Sequence, residues 1–251
     1  MTEPSLHAWL TAGLFLLAVV TAAALTRVSA PYGRHVRDGW GPALPSRWAW
    51  MLMESPAVLA FALVYAAGRQ RAELVPLALL ALWQLHYLHR TFVYPLLTAG
   101  GRPWPLVVVG LGFAFQCYNS YLNARHLSEL GSYPDSWLGD ARFLVGVTVF
   151  GLGLLLNRRS DAILRRLRAP GETGYRIPRG GGFELVSCPN YLGEILEWCG
   201  WALATWSWPG LAFALYTIAN LAPRAVTHHR WYRETFPDYP PERRALVPYL
   251  L

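Results

Sequence analysis

Lysine is absent: all 22 basic residues are arginine. Charge of either sign is scarce too, at 15% of residues against the quarter usual in a soluble domain, while 54% are hydrophobic. So little charge excludes an ordinary soluble globular chain of 251 residues. Cysteine is limited to Cys117, Cys188 and Cys199, too few and too irregular for a disulfide framework or a zinc site, and these read as small packing residues. No GxGxxG stretch sits between a strand and a helix, which excludes a Rossmann domain. His86 and His89, and the adjacent His228 and His229, lack the acidic partner of a metal-binding helix, so no metal is expected. There is no internal repeat and no low-complexity tract, and a single domain over 1–251 is the simplest organisation.

What is present is a series of apolar runs of roughly 17–23 residues, the length that spans a bilayer as a helix. Seven are expected, near 6–26, 48–67, 74–97, 104–124, 142–158, 190–206 and 209–226. The first lacks a basic leader and a clear cleavage site and is kept as a helix. The net charge of +7 raises nucleic-acid binding, but its distribution points to topology instead. Eighteen arginines would share one side, leaving Arg69, Arg71, Arg125 and Arg142 opposite. By the positive-inside rule the N-terminus is then outside and the C-terminus cytoplasmic. The expected fold class is an all-α integral membrane protein with seven transmembrane helices. Arginine without lysine, with heavy use of Ala, Gly, Leu and Pro, implies a GC-rich genome. A bacterial inner membrane is therefore expected, or the endoplasmic reticulum if the source is eukaryotic.

Helical spacing sorts the polar residues. "HYLHRTFVYPLL" sets Tyr87, Arg90, Thr91 and Tyr94 on one face of the third span. "LNRRSDAILRRLR" aligns Asn157, Asp161, Arg165 and Arg168, "NYLGEILEW" aligns Asn190, Glu194 and Glu197, and "RAVTHHRWY" aligns Arg224, His228 and Tyr232. Glu54 sits in the second span, where a carboxyl costs on the order of 2–3 kcal/mol, with no basic residue near it in sequence. Taken singly, these residues have plainer explanations in aromatic belts, snorkelling and helix capping. Together they converge at one depth near the cytoplasmic face, which is expected to be a pocket. Arginines with Asn, Asp and Glu suit a ligand bearing phosphates, sugars and an amide, and the glycines of "GYRIPRGGGFELVS" let backbone N–H groups approach an anion.

These strings, with "GRPWP", "GWALATWSWP" and "RAVTHHRWYRETFPDYPPERRALVPYLL", closely resemble the membrane steroid 5α-reductases from about Trp48 to the C-terminus. The resemblance implies a seven-helix membrane enzyme that reduces the C4–C5 double bond of 3-oxo-Δ4 steroids with NADPH. It also implies that Glu54 and Tyr87 are the catalytic pair at the substrate ketone, with Met53 beside them. Cofactor contacts carried over are Asn157, Asp161, Arg168, Asn190, Glu194, Arg224, His228 and Tyr232, with Arg90, Tyr94, Arg102 and Tyr175 as further contacts. The family commonly has a Gln-Glu pair where this chain reads Met53-Glu54, so an amide near the ketone is missing. Expected partners are a lipophilic steroid-like substrate and membrane lipid, without nucleic acid, for a monomer. Alternatives left open are a reductase of another enone or enoyl lipid such as a polyprenol, a methyltransferase using S-adenosylmethionine, and a non-catalytic lipid carrier.

Overall fold

The structure is a computed structural model describing residues 1–28, 39–98, 100–167 and 174–251. Among these, seven long helical rods coincide with the seven expected segments: α1 (Glu3–Leu25), α2 (Ser46–Ala66), α3 (Leu74–Leu88) continuing into α4 (Tyr94–Leu97), α5 (Leu106–Arg125), α6 (Ala141–Arg166), α7 (Pro189–Thr205) and α8 (Trp208–Thr235). Three of them, α1, α2 and α6, are long and apolar enough by length and composition to cross a membrane. The sheet content is small: β1 (Ala43–Leu44) pairs antiparallel with β2 (Trp104–Pro105), tying the entries to α2 and α5 together.

The third rod departs from the expected regular helix. Between α3 and α4, His89–Val93 forms a π turn, which lodges one more residue per turn and shifts the phase of everything after it. Thr91 is thereby fully buried, and its hydroxyl reaches the Glu54 carbonyl at 3.4 Å instead of sharing the face of Tyr87. α6 and α8 also run past the expected span ends, to Arg166 and Thr235, so the stripe of Asn157, Asp161 and Arg165 lies on helix.

α6 and α7 pack most closely, along a seam of glycines. A Cβ on Gly153 would fall on the backbone of Glu197, and one on Gly193 on the backbone of Asn157, with Gly146 and Gly200 extending the seam. Small residues let the two backbones approach, as in close membrane helix pairs. This sets Asn157 of α6 against the start of α7. The core above the seam is aromatic: Trp83 meets Phe61, Tyr87, Trp198, Trp201 and Phe213 with ring centroids 4.3–5.6 Å apart. Its indole N–H is satisfied by the Ala57 carbonyl at 2.8 Å.

The two ends of the bundle differ in charge. Of the four arginines expected opposite the rest, Arg69 pairs with Glu129 at 2.6 Å, Arg125 with Glu3 at 2.6 Å and Arg142 with Asp140 at 2.8 Å. The Arg69 hydrogen bonds hold Glu129 below the usual carboxylate range, and those from Arg142 pull Asp140 down to about 2. At the other end the C-terminal segment clasps the approach to α7. Arg244 N–H donates to the Leu185 carbonyl, Ser187 N–H donates to the Arg244 carbonyl, and the buried Arg243 donates to the Pro178 carbonyl at 2.9 Å.

Candidate active site

A cavity of about 570 Å³ lies where α1, α3–α4, α6 and α8 end and where α2, α5 and α7 begin. Its wall takes side chains from every one of the seven rods. One part is apolar and aromatic, with Met53, Trp104, Val108, Leu111, Phe115 and Phe213; the other is polar, with Asn157, Asp161, Asn190, Glu194, Arg224 and His228. Glu54, Tyr87 and Arg90 line it as well, together with Tyr94 and Tyr175.

Glu54 has partners that its sequence neighbourhood does not offer. The π turn carries Arg90 to within 3.9 Å of Glu54 Oε1 and 3.3 Å of Glu194 Oε2, so one guanidinium stands between two carboxyls. Arg90 is held by its neighbours: it lies over the Trp50 ring at 4.9 Å, and the Trp50 indole donates to the Arg90 carbonyl at 3.0 Å. On the other oxygen, Gln116 of α5 donates from Nε2 to Glu54 Oε2 at 2.6 Å. Pro56, two residues after Glu54, removes an N–H from α2, and the Ser55 hydroxyl takes the Leu52 carbonyl at 2.9 Å in its place. Met53 packs against Gly112 of α5, where a Cβ would meet its side chain.

The polar part is a connected set. Asn157 donates to the Asn190 carbonyl at 3.0 Å, Asn190 donates to Asp161 at 3.2 Å, and Arg224 donates to the Tyr191 hydroxyl at 3.0 Å, with His228 Nε2 3.1 Å from the same oxygen. Tyr175 meets Trp231 edge-on. Cationic and amide donors beside carboxylate acceptors match the phosphates, hydroxyls and carboxamide of a nucleotide. Arg158 Nε and Arg165 Nη1, in the adjoining turn of α6, are buried without a partner among the described residues, which leaves cationic donors in reserve there.

Most residues expected in the site are therefore together on one wall. Arg102 is exposed and does not line the cavity, and Tyr232 is buried outside it, stacked on Tyr239 at 5.2 Å. Arg168 lies outside the described residues. Glu197 leaves the stripe of Asn190 and Glu194 and pairs instead with His86 at 2.7 Å in the buried interior. Gln116, Tyr191, Trp50 and Asn220 were not anticipated. For Gln116 a signal existed: Gln116, Asn119, Ser120 and Asn123 fall at i, i+3, i+4 and i+7 in an otherwise apolar span.

Fold and cavity thus define a helix-bundle membrane protein with a chamber lined in part by apolar and in part by polar and charged side chains. Comparison with known proteins narrows this class. Residues 102–251 match the family model described as 3-oxo-5-alpha-steroid 4-dehydrogenase. The chain is 47% identical over 240 residues to 3-oxo-5-alpha-steroid 4-dehydrogenase 1 of Bos taurus, covering 94% of this chain and 93% of that protein. It is 43% identical over 238 residues to steroid 5-alpha-reductase DET2 of Arabidopsis thaliana, covering 92% and 91%, and 45% identical over 221 residues to the Homo sapiens type 1 enzyme, covering 87% and 85%. The chain belongs to the 3-oxo-5-alpha-steroid 4-dehydrogenase family, oxidoreductases acting on CH–CH groups. This replaces the methyltransferase and carrier alternatives.

Proposed function

We propose that the protein reduces the C4–C5 double bond of 3-oxo-Δ4 steroids with NADPH, giving 5α-dihydro steroids, with Glu54 and Tyr87 polarising the C3 ketone. The observation that carries this reading is that Glu54 and Tyr87 line one chamber together with the apolar side chains and with the polar set of Asn157, Asp161, Asn190 and Arg224. Asn157, Asp161, Tyr175, Asn190, Glu194, Arg224 and His228 would hold the cofactor, with Arg90 and Tyr94 beside it. NADPH, when bound, supplies the hydride that C5 receives, and C4 gains a proton.

Hydride addition to an enone builds negative charge on the ketone oxygen, so donors aimed at that oxygen lower the barrier. Tyr87 offers its phenolic O–H. Glu54 serves as a neutral acid, donating where a carboxylate would repel the developing oxyanion. The Gln116 contact occupies Oε2 and leaves Oε1 to carry the hydrogen. The charge asymmetry supports a topology with the N-terminus outside and the cofactor end of the chamber in the cytoplasm, because three of the four arginines at the other end are matched by acids. The apolar wall, in which Leu111 is largely exposed, suits a lipophilic substrate. A single copy of the chain supplies every side chain this reading uses, and we take the working unit to be a monomer.

The test is steroid-dependent NADPH oxidation. Glu54→Ala and Tyr87→Phe are each expected to lower kcat about a hundredfold or more, whereas Glu54→Gln keeps measurable turnover because an amide donates. Near-wild-type turnover of Glu54→Ala with NADPH still bound refutes the roles assigned. Turnover of a polyprenol enone in preference to testosterone would keep the chemistry and change the substrate.

A further inference from the structure

We propose that Gln116 is a positioning residue for the reaction: its amide fixes the rotamer of Glu54 and confines the carboxyl hydrogen to Oε1. The inference rests on Glu54 acting as the ketone donor. Gln116 is nearly fully buried at 8% exposed, lines the chamber, and places Nε2 2.6 Å from Glu54 Oε2. An N–H pointing at Oε2 makes that oxygen an acceptor, so a hydrogen on the neutral acid has to sit on the other oxygen. Without this contact either oxygen can carry it, and the Glu54 side chain, between Met53 and the Arg90 guanidinium, has nothing else of hydrogen-bonding length to hold its carboxyl among the described residues.

The rest of the polar stripe on α5 shows what a purely structural role looks like. Ser120 donates to the Pro56 carbonyl at 3.1 Å, Asn123 donates to Asn119 Oδ1 at 2.9 Å, and the Trp201 indole donates to Asn123 Oδ1 at 2.9 Å, all of them neutral groups. Gln116 instead holds a titratable group in the chamber wall, and its own Oε1 is buried with no partner in hydrogen-bonding geometry. The Tyr87 hydroxyl faces the same amide. One amide therefore borders both proposed donors, Glu54 and Tyr87, in the chamber wall. The charged and titratable groups facing Glu54 are Arg90 from the π turn, with Glu194 of α7 behind it, and Tyr87 of α3. None of these supplies a neutral N–H to Oε2.

The experiment is Gln116→Met, which keeps the volume and removes both hydrogen-bonding functions, assayed in the full-length protein with NADPH and testosterone. Expected are a kcat about tenfold lower and a KM for steroid and an affinity for NADPH each within about threefold of wild type. The alkaline limb of the kcat profile should also move up by about one pH unit, because the ionised form of Glu54 loses an N–H donor. A shape-filling role would not move that limb. Wild-type kcat and an unmoved limb in a folded, NADPH-binding Gln116→Met overturn the proposal. Should that variant fail to fold, Gln116→Asn, which keeps the amide but withdraws it by a methylene, is expected to show the same kcat loss, and wild-type kcat there overturns it equally. Retained activity in Glu54→Ala sinks the underlying reading; an inactive Glu54→Ala beside a wild-type Gln116→Met sinks only this one.

Discussion

Gly193→Ala is expected to damage the protein far out of proportion to a single methyl group. The added Cβ would lie 2.5 Å from Asn157 N, 2.7 Å from the Gly153 carbonyl oxygen and 2.9 Å from Asn157 Cα, all of them backbone atoms that cannot rotate away. Ordinary contact begins at 3.4 Å, so α7 has to withdraw from α6 by the shortfall, 3.4 less 2.5, or about 0.9 Å. The same movement stretches the Asn157–Asn190 hydrogen bond from 3.0 Å to about 3.9 Å, beyond bonding range. Overpacking of this kind costs about 3 kcal/mol, which in a chain of this size lowers Tm by about 6–12 °C. Loss of the Asn157–Asn190 contact should weaken NADPH binding about tenfold. The matched control is Gly151→Ala on the facing helix α6, where a Cβ meets nothing within 4 Å. It should gain about 0.5–1 kcal/mol from helix propensity. Thermal unfolding and NADPH titration of both variants in detergent decide the matter. If Gly193→Ala unfolds at or above the wild-type temperature with NADPH affinity intact, the close backbone approach is not what holds Asn157 and Asn190 together.

Arg243→Leu, although away from the chamber, should cost about 2–3 kcal/mol by removing the donor to the Pro178 carbonyl. Because Pro178 follows closely on Tyr175 of the chamber wall, NADPH affinity should fall with it; denaturant unfolding and titration check both. Asp140 caps α6 through the Arg142 N–H, and its side-chain bonds with Arg142 hold its pKa at about 2, below the unfolded value near 3.9. Its contribution is therefore present above about pH 4 and lost as pH falls toward 2. Asp140→Ala should be less stable than wild type at neutral pH, and the gap should close over that acid range; a gap that persists at pH 2 contradicts the assignment.

The rods were legible because a bilayer imposes their length, and the residue stripes of α6 and α8 because helical spacing survives into the structure for Asn157 and Asp161 and for Arg224 and His228. The stripe of the third rod was read with one phase error, at Thr91, since a π turn leaves no mark in hydrophobic spacing. Tyr232 shares the helical face of Arg224 and His228, yet it lies where α8 has left the chamber and meets Tyr239 of the C-terminal segment. Gln116 shows the opposite limit. Its polarity was visible, but its partner lies on α2, and which face of α5 meets α2 is decided by packing, including the Met53 side chain seated over Gly112. An amide thus reaches Glu54 from α5, a contact across helices that no single stretch of sequence displays.

The C-terminal clasp has a consequence for the order in which the protein is made. Residues 185–188, leading into α7, are bonded through their backbone to residues 244 and 245, and the Pro178 carbonyl accepts from the Arg243 side chain. A ribosome delivers α7 and its asparagine and glutamate well before the segment that fastens their approach. Until residues 243–245 have emerged, the bundle can assemble around its aromatic core, but the approach to α7 lacks these bonds. Closure of the approach to α7 is therefore among the last steps open to the growing chain, after the residues of its aromatic core have been delivered.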